Sequence, residues 1–313
     1  MFITIDEATA AEALDFTSLV ASLREVFNSE WEAPLRTIQH IDQPDWPEGT
    51  LLLMPAWDGS GYMGIKTVTV YPENQQKGEA GLHSVYSLFD RRNGKPLAMI
   101  SANPITAKRT AAVSALAADY LARKDANKLL IVGAGAVASE IADAYAVVRD
   151  LTEVCVWNRS AERGEKLVDK LRAQGYNARL GTDLAAEVKH ADIISCATFS
   201  QGDLIKRQWL QPGAHLDLIG SFKPDMRETD AACFDGTSVF IDTEEALIKS
   251  GDLLHPMEKG ILKEEHILAN LTQLCQKSHP GRQNNEEITV FKAVGNAIED
   301  LAAAKLIYEQ QNS

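Results

Sequence analysis

The sequence predicts an α/β protein in which a doubly wound parallel sheet follows a largely antiparallel α+β region. Three observations carry this. Between residues 129 and 241 strand-like and helix-like segments alternate, and parallel strands need crossover helices. Before residue 101, short strand-like runs follow one another with turns and no helices between them. The chain has 313 residues, long enough for two domains and for a large core without disulfides or metals.

In the first hundred residues, 6–28 shows helical spacing, with Leu14, Val20, Leu23 and Phe27 on roughly one face. Strands are expected at 35–40, 50–55, 62–70, 82–90 and 96–100, separated by Asp58-Gly59, Asn93-Gly94 and the polar stretch 72–78. An alanine-rich helix is expected at 106–124, since alanine has the best helix propensity. The alternating region then gives strands at 129–132, 153–157, 191–196, 215–219 and 238–241, and helices at 136–148 and 160–174. Residues 289–309, rich in Ala and Leu, predict a closing helix.

Composition excludes several classes. The chain is 45% hydrophobic and 24% charged, with a net charge of −13, which disfavours a nucleic-acid or anionic-membrane surface. A few local cations still suffice for a small anion, because distant acidic charge is screened by salt. The four cysteines show no CxxC spacing, and Cys155 and Cys196 lie in apolar runs. They read as buried, reduced thiols, and no metal site is expected. The first residues, MFITIDEATA, carry neither a basic segment nor a long apolar stretch, and no apolar run reaches about 18 residues. A cytoplasmic protein without a transmembrane helix is the expectation.

The most specific motif follows the strand at 129–132. Gly133-Ala134-Gly135-Ala136-Val137-Ala138 opens a helix, and a second strand comes about 20 residues later, the arrangement of a Rossmann dinucleotide site. Gly133 makes the tight turn, Gly135 lets backbone approach a pyrophosphate, and Ala138 lets the helix pack on the strand. The helix N-terminus at Ala136 and Val137 offers free N–H groups to phosphate. Ala197 and Thr198, after the strand at 191–196, complete the expected cofactor contacts. The second strand ends in Asn158-Arg159-Ser160, where an NAD enzyme usually carries an acid for the ribose 2′-OH. Asn158 does not repel a 2′-phosphate, Arg159 can pair with it and Ser160 can donate to it. NADPH is therefore the expected cofactor, with NADH as the alternative and Arg159 then a solvated surface arginine.

A substrate carboxylate needs fixed positive charge. The first region offers Arg36, Lys66 and Arg109. Lys66 stands between two apolar stretches, where composition alone favours a solvent-facing side chain. Arg109 is expected in the first turn of its helix, where a cation opposes the helix dipole and so hints at an anion to be met.

The pieces Pro34-Leu35-Arg36, Met63-Gly64-Ile65-Lys66, Gly81-Leu82-His83-Ser84, Thr106-Ala107-Lys108-Arg109-Thr110-Ala111-Ala112, the glycine loop, the run 220–228 and Val290-Phe291-Lys292-Ala293-Val294-Gly295 resemble the ornithine cyclodeaminase/mu-crystallin family over nearly the whole chain. The resemblance implies a substrate and dimerisation domain, residues 1–118 plus 290–313, with a Rossmann domain, 119–289, inserted in it, and a homodimer. It assigns Arg36, Lys66, Ser84 and Arg109 to a substrate carboxylate. Cyclodeaminases carry an aspartate two residues after the glycine that ends the fifth strand. Here Phe222 stands in that place, and an aromatic ring cannot replace a carboxylate. The variant is similar to the family's Δ1-pyrroline-2-carboxylate reductases. The expected reaction is NAD(P)H-dependent reduction of a cyclic ketimine carboxylate, giving L-proline or, from the six-membered ring, L-pipecolate. Lys66 and Arg109 are the expected catalytic residues, and Phe222 an apolar wall for the ring. The alternatives are an alanine-type amino-acid dehydrogenase, a cyclodeaminase and a non-catalytic dinucleotide-binding protein.

Overall fold

The computed structural model describes residues 2–42 and 47–312. The chain forms two compact units, Met1–Arg109 with Asn296–Ser313, and Thr110–Gly295. In chain order the first stretch carries β1 (Ile3–Ile5), α1 (Glu7–Glu12), α2 (Phe16–Asn28), β2 (Trp31–Glu32), β3 (Thr37–Ile41), β4 (Gly49–Asp58), β5 (Tyr62–Val70), β6 (Leu82–Asp90), β7 (Pro96–Ser101) and α3 (Asn103–Leu121). Next come β8 (Lys128–Val132), α4 (Ala138–Ala146), β9 (Glu153–Trp157), α5 (Ala161–Ala173), β10 (Ala178–Leu180), α6 (Leu184–His190), β11 (Ile193–Cys196), β12 (Gln201–Ile205), β13 (His215–Leu218), β14 (Arg227–Thr229) and β15 (Ser238–Ile241). Then α7 (Ala246–Lys249), α8 (Gly251–Glu258), β16 (Ile267–Asn270), α9 (Leu271–Cys275), β17 (Thr289–Lys292) and α10 (Ala297–Gln310) complete the chain.

The first unit is a seven-stranded sheet in the order β1-β7-β6-β5-β4-β2, with β3 also paired to β4. All pairs are antiparallel except β1 with β7. Alternation sets its two faces. Gly64, Lys66 and Val68 on β5 and Ser84, Tyr86 and Leu88 on β6 are buried, while Met63, Ile65 and Phe89 on the opposite face are half-exposed. α10 packs against α2 and on β4, β5 and β6. Gly64 is needed where it stands, because a Cβ there would lie 2.3 Å from the Tyr86 ring.

The stretch 6–28, which reads as one helix, is two. Asp15 caps α2 by accepting from the Ser18 N–H at 2.9 Å. Lys108 donates to the carbonyls of Ala11 and Leu14 at 2.9 and 2.8 Å, satisfying groups left open at the end of α1.

The second unit holds eight parallel strands in the order β10-β9-β8-β11-β13-β17-β15-β16. The strand order reverses between β8 and β11, the place where such sheets bind ligands at their carboxyl ends. The segment 289–292, expected as the start of a closing helix, is instead strand β17, paired on both sides and wholly buried. Thr289, Val290 and Phe291 suit a strand covered on both faces. Gly295 then turns the chain with φ 78°, and Asn296 caps α10. All four cysteines are buried and none forms a disulfide. Among the described residues, no helix is long and apolar enough to cross a membrane.

Candidate active site

Within the first unit, Lys66, Arg109, Asp300 and Glu299 form a buried chain of charges. Lys66 does not face solvent as its composition suggested. It is on the inner face of β5, only 2% exposed, and its Nζ lies 2.7 Å from the Asp300 carboxylate. Arg109 is in the second turn of α3, not the first, because the helix starts at Asn103. Its Nε donates to Asp300 at 3.1 Å and its terminal nitrogen to Glu299 at 2.5 Å. The charge is thus placed by partners on α10, and the helix-dipole argument does not apply.

Arg36, in the segment between β2 and β3, is half-buried, and its charge is felt at Lys66. Burial pushes the Lys66 ammonium down to about 8, Asp300 opposes this, and the charges of Arg109 and Arg36 add to it. Ser84 is buried on the same sheet face, two residue pairs from Lys66 along the ladder. Its hydroxyl donates to the Asn103 side chain at 2.8 Å, at the head of α3.

The two acids were missed from sequence. A signal existed: Ala297, Ile298, Leu301 and Ala302 leave no polar face for Glu299 and Asp300. A helix apolar all round is buried, and acids within it need partners.

The second unit carries a groove of about 280 Å³ at the carboxyl ends of β8, β9 and β11. Gly133, Ala134 and Gly135 line it together with Trp157, Asn158, Arg159, Ala197 and Thr198. Gly133 has φ 123°, and a Cβ there would lie 2.6 Å from the Ala197 carbonyl oxygen. Gly135 has nothing within 4 Å of the same point, so its backbone is open to a ligand. Ala136 is exposed and Val137 is the N-cap position of α4. Ala138 is fully buried. These residues fit a dinucleotide pyrophosphate.

Asn158 donates to the Ser160 carbonyl at 2.8 Å, which shapes the end of β9. Ser160 caps α5 by accepting from the Arg163 N–H, and its hydroxyl proton stays available. Arg159 is exposed. Arg163, in the first turn of α5 and missed from sequence, lines the same groove. Neither arginine makes an ion pair among the described residues.

Glu228 braces the groove from behind. One of its oxygens accepts from the Thr198 N–H and hydroxyl at 2.8 and 2.7 Å, the other from the Gly220 N–H at 2.7 Å. Burial raises its carboxyl to about 7, with Asp252 adding to this and Lys292 opposing it. Phe222, 39% exposed, meets Phe199, 84% exposed, edge to face at 6.3 Å. Two exposed aromatic rings therefore flank the carboxyl ends of β11 and β13.

The family model for "Ornithine cyclodeaminase/mu-crystallin family" matches residues 5–313. The chain belongs to this family. Among its relatives, a Δ1-pyrroline-2-carboxylate reductase of Colwellia psychrerythraea is 34% identical over 303 residues, covering 95% of each chain. The solved structure of a Thermococcus litoralis Δ1-pyrroline-2-carboxylate reductase in complex with NADH and L-proline superposes with a TM-score of 0.92 at 31% identity, over 99% of this chain and 97% of that one. An archaeal alanine dehydrogenase dimer with bound NAD gives a TM-score of 0.90 at 26% identity, over 99% and 97%. The reductase and the alanine dehydrogenase thus share one fold with this chain, and the choice among reactions falls to side chains.

Proposed function

We propose that this family member is an oxidoreductase that reduces a cyclic ketimine carboxylate, Δ1-pyrroline-2-carboxylate to L-proline, and accepts Δ1-piperideine-2-carboxylate to give L-pipecolate. The observation that carries the reading is the buried pair Lys66 and Arg109, held in place by Asp300 and Glu299, with the charge of Arg36 felt at Lys66. The reductases among its relatives, one of them seen with L-proline, support the choice of imine.

The cofactor is a nicotinamide dinucleotide seated on Gly133, Gly135, Ala136, Val137, Ala197 and Thr198. When bound, it would supply the hydride for the carbon of an imine whose nitrogen already carries its proton. Arg159 and Arg163, without carboxylate partners, and uncharged Asn158 favour NADPH over NADH. Arg36 and Arg109 hold the substrate carboxylate, and Ser84 supports that end by fixing the head of α3. Lys66, as an ammonium ion, donates a hydrogen bond that polarises the substrate. Holding the reacting groups in register supplies a large part of the rate. Phe222, edge to face with Phe199, puts an apolar ring and no carboxylate where a cyclodeaminase would need an acid for a side-chain amine, which disfavours ammonia loss from ornithine.

The protein acts as a homodimer in this reading. The outer sheet face presents Pro55 and Trp57, Met63 and Ile65, and Phe89 and Met99, all half-exposed or exposed on neighbouring strands. An apolar face of this kind is suited to a second copy of the chain.

The test is a spectrophotometric assay of the purified protein with NADPH or NADH. Oxidation of cofactor with Δ1-pyrroline-2-carboxylate is expected, faster with NADPH. Normal dinucleotide binding without turnover of either imine sinks the proposal. Ammonia release from ornithine would assign a cyclodeaminase instead, and reductive amination of pyruvate an alanine-type dehydrogenase.

A further inference from the structure

Asp300 and Glu299 lie in the most buried part of α10, with Ile298, Leu301 and Ala303 fully buried around them. Neither carboxylate is exposed. Carboxylates are costly to desolvate, and this arrangement persists only because each meets a cation. The connection is ordered: Lys66 meets one oxygen of Asp300, Arg109 meets the other, and Glu299 takes the far end of Arg109. The same carboxylate therefore fixes two side chains that come from different elements, β5 and α3.

We propose that Asp300 is the positioning residue of the substrate site: one carboxylate oxygen aims Lys66, while the other sets Arg109. The assignment rests on the reductase reading of the site. Asp300 does not act on the substrate. It acts through Lys66. The groups around Lys66 are Asp300 on α10, Arg109 on α3, Arg36 before β3 and Tyr86, its register partner on β6. Burial and the two arginines disfavour the charge on Lys66, and Asp300 counters them. Without Asp300, Lys66 loses its proton at lower pH and loses the contact that directs it. Glu299 plays a lesser part, because it touches Arg109, which does not titrate in this range.

The experiment uses the full-length protein labelled with ¹³C at the lysine Cε, with the Lys66 resonance assigned by its disappearance in Lys66→Arg. Its titration midpoint is followed by NMR in the wild type and in Asp300→Asn. The wild-type midpoint is expected near 8, and that of Asp300→Asn lower by about one pH unit or more. In parallel, kcat/KM for the imine is expected to fall about tenfold further at pH 9 than at pH 6, since one unit is a factor of ten. An unmoved midpoint overturns the proposal, as does a loss of activity that is uniform across pH.

Glu299→Gln supplies a second arm should Asp300→Asn fail to fold. Its Lys66 midpoint is expected to match the wild type. A fall as large as one pH unit would show that the general charge of α10, and not the Asp300 contact, sets Lys66, and would also overturn the proposal. The midpoint does not depend on turnover. A shifted midpoint in a protein that reduces no imine would support the positioning role and remove the substrate reading alone.

Discussion

The two units handle charge in opposite ways. In the first, Lys66 and Arg109 are withdrawn from solvent and tied to carboxylates on α10. In the second, Arg159 and Arg163 stand exposed at the rim of the groove with no ion pair among the described residues. The contrast follows from what each would bind. A small carboxylate must be held in one orientation, which calls for fixed, desolvated charges. A ribose phosphate at a groove rim can be met by mobile arginines, at the cost of sensitivity to salt.

Arg109→Ala should show the largest effect. It removes the contacts of Arg109 to the buried carboxylates of Asp300 and Glu299 and leaves Lys66 beside Asp300. Breaking a buried ion pair from one side costs about 3–5 kcal/mol. A urea titration should record a loss of that order, together with loss of imine turnover. A stability change within about 0.5 kcal/mol, the ordinary size for surface sites, would break the contrast by showing that the cluster is not desolvated in solution.

The double substitution Arg159→Ala with Arg163→Ala should act on the cofactor and leave the fold alone. Each charge-assisted hydrogen bond is worth about 1.5–3 kcal/mol, so KM for NADPH should rise at least about tenfold while KM for NADH hardly moves. The wild-type preference for NADPH should shrink as salt is raised. Equal losses with both cofactors would break the assignment.

Phe222→Ala should give the smallest effect, a rise of about threefold in imine KM, in line with losing about 0.5–1 kcal/mol of apolar contact. Thermal stability should stay unchanged, because the ring is partly exposed. If KM for an open-chain keto acid rises as much as that for the cyclic imine, the ring does not select for ring shape.

Much of the second unit was legible in the sequence. The glycine loop, the strand before it and Asn158-Arg159-Ser160 are local, and their spacing alone places them on one strand–turn–helix unit. The run 289–292 misled because an Ala- and Leu-rich context masked a four-residue buried strand, which periodicity cannot separate from helix. In the first unit the cations were identified through family motifs, but their surroundings were misjudged. Lys66 looked like a solvated lysine because nothing near it in sequence reports what covers β5. Arg109 looked like a misplaced first-turn charge because the start of α3 was put three residues late.

The sequence by itself determined which residue types were available and how the backbone turns around them: a strand ending in Gly133, a helix that can start only after Gly135, and a phenylalanine where a cyclodeaminase has an acid. Those features depend on neighbours a few positions away, where propensity and sterics act directly. Tertiary structure decided which charges meet. Asp300 reaches Lys66 and Arg109 only because α10, from the end of the chain, returns to pack on β4, β5 and β6. Long-range pairing of this kind leaves no periodic trace, since it is fixed by which faces the core buries together and by the need of each buried charge for a partner.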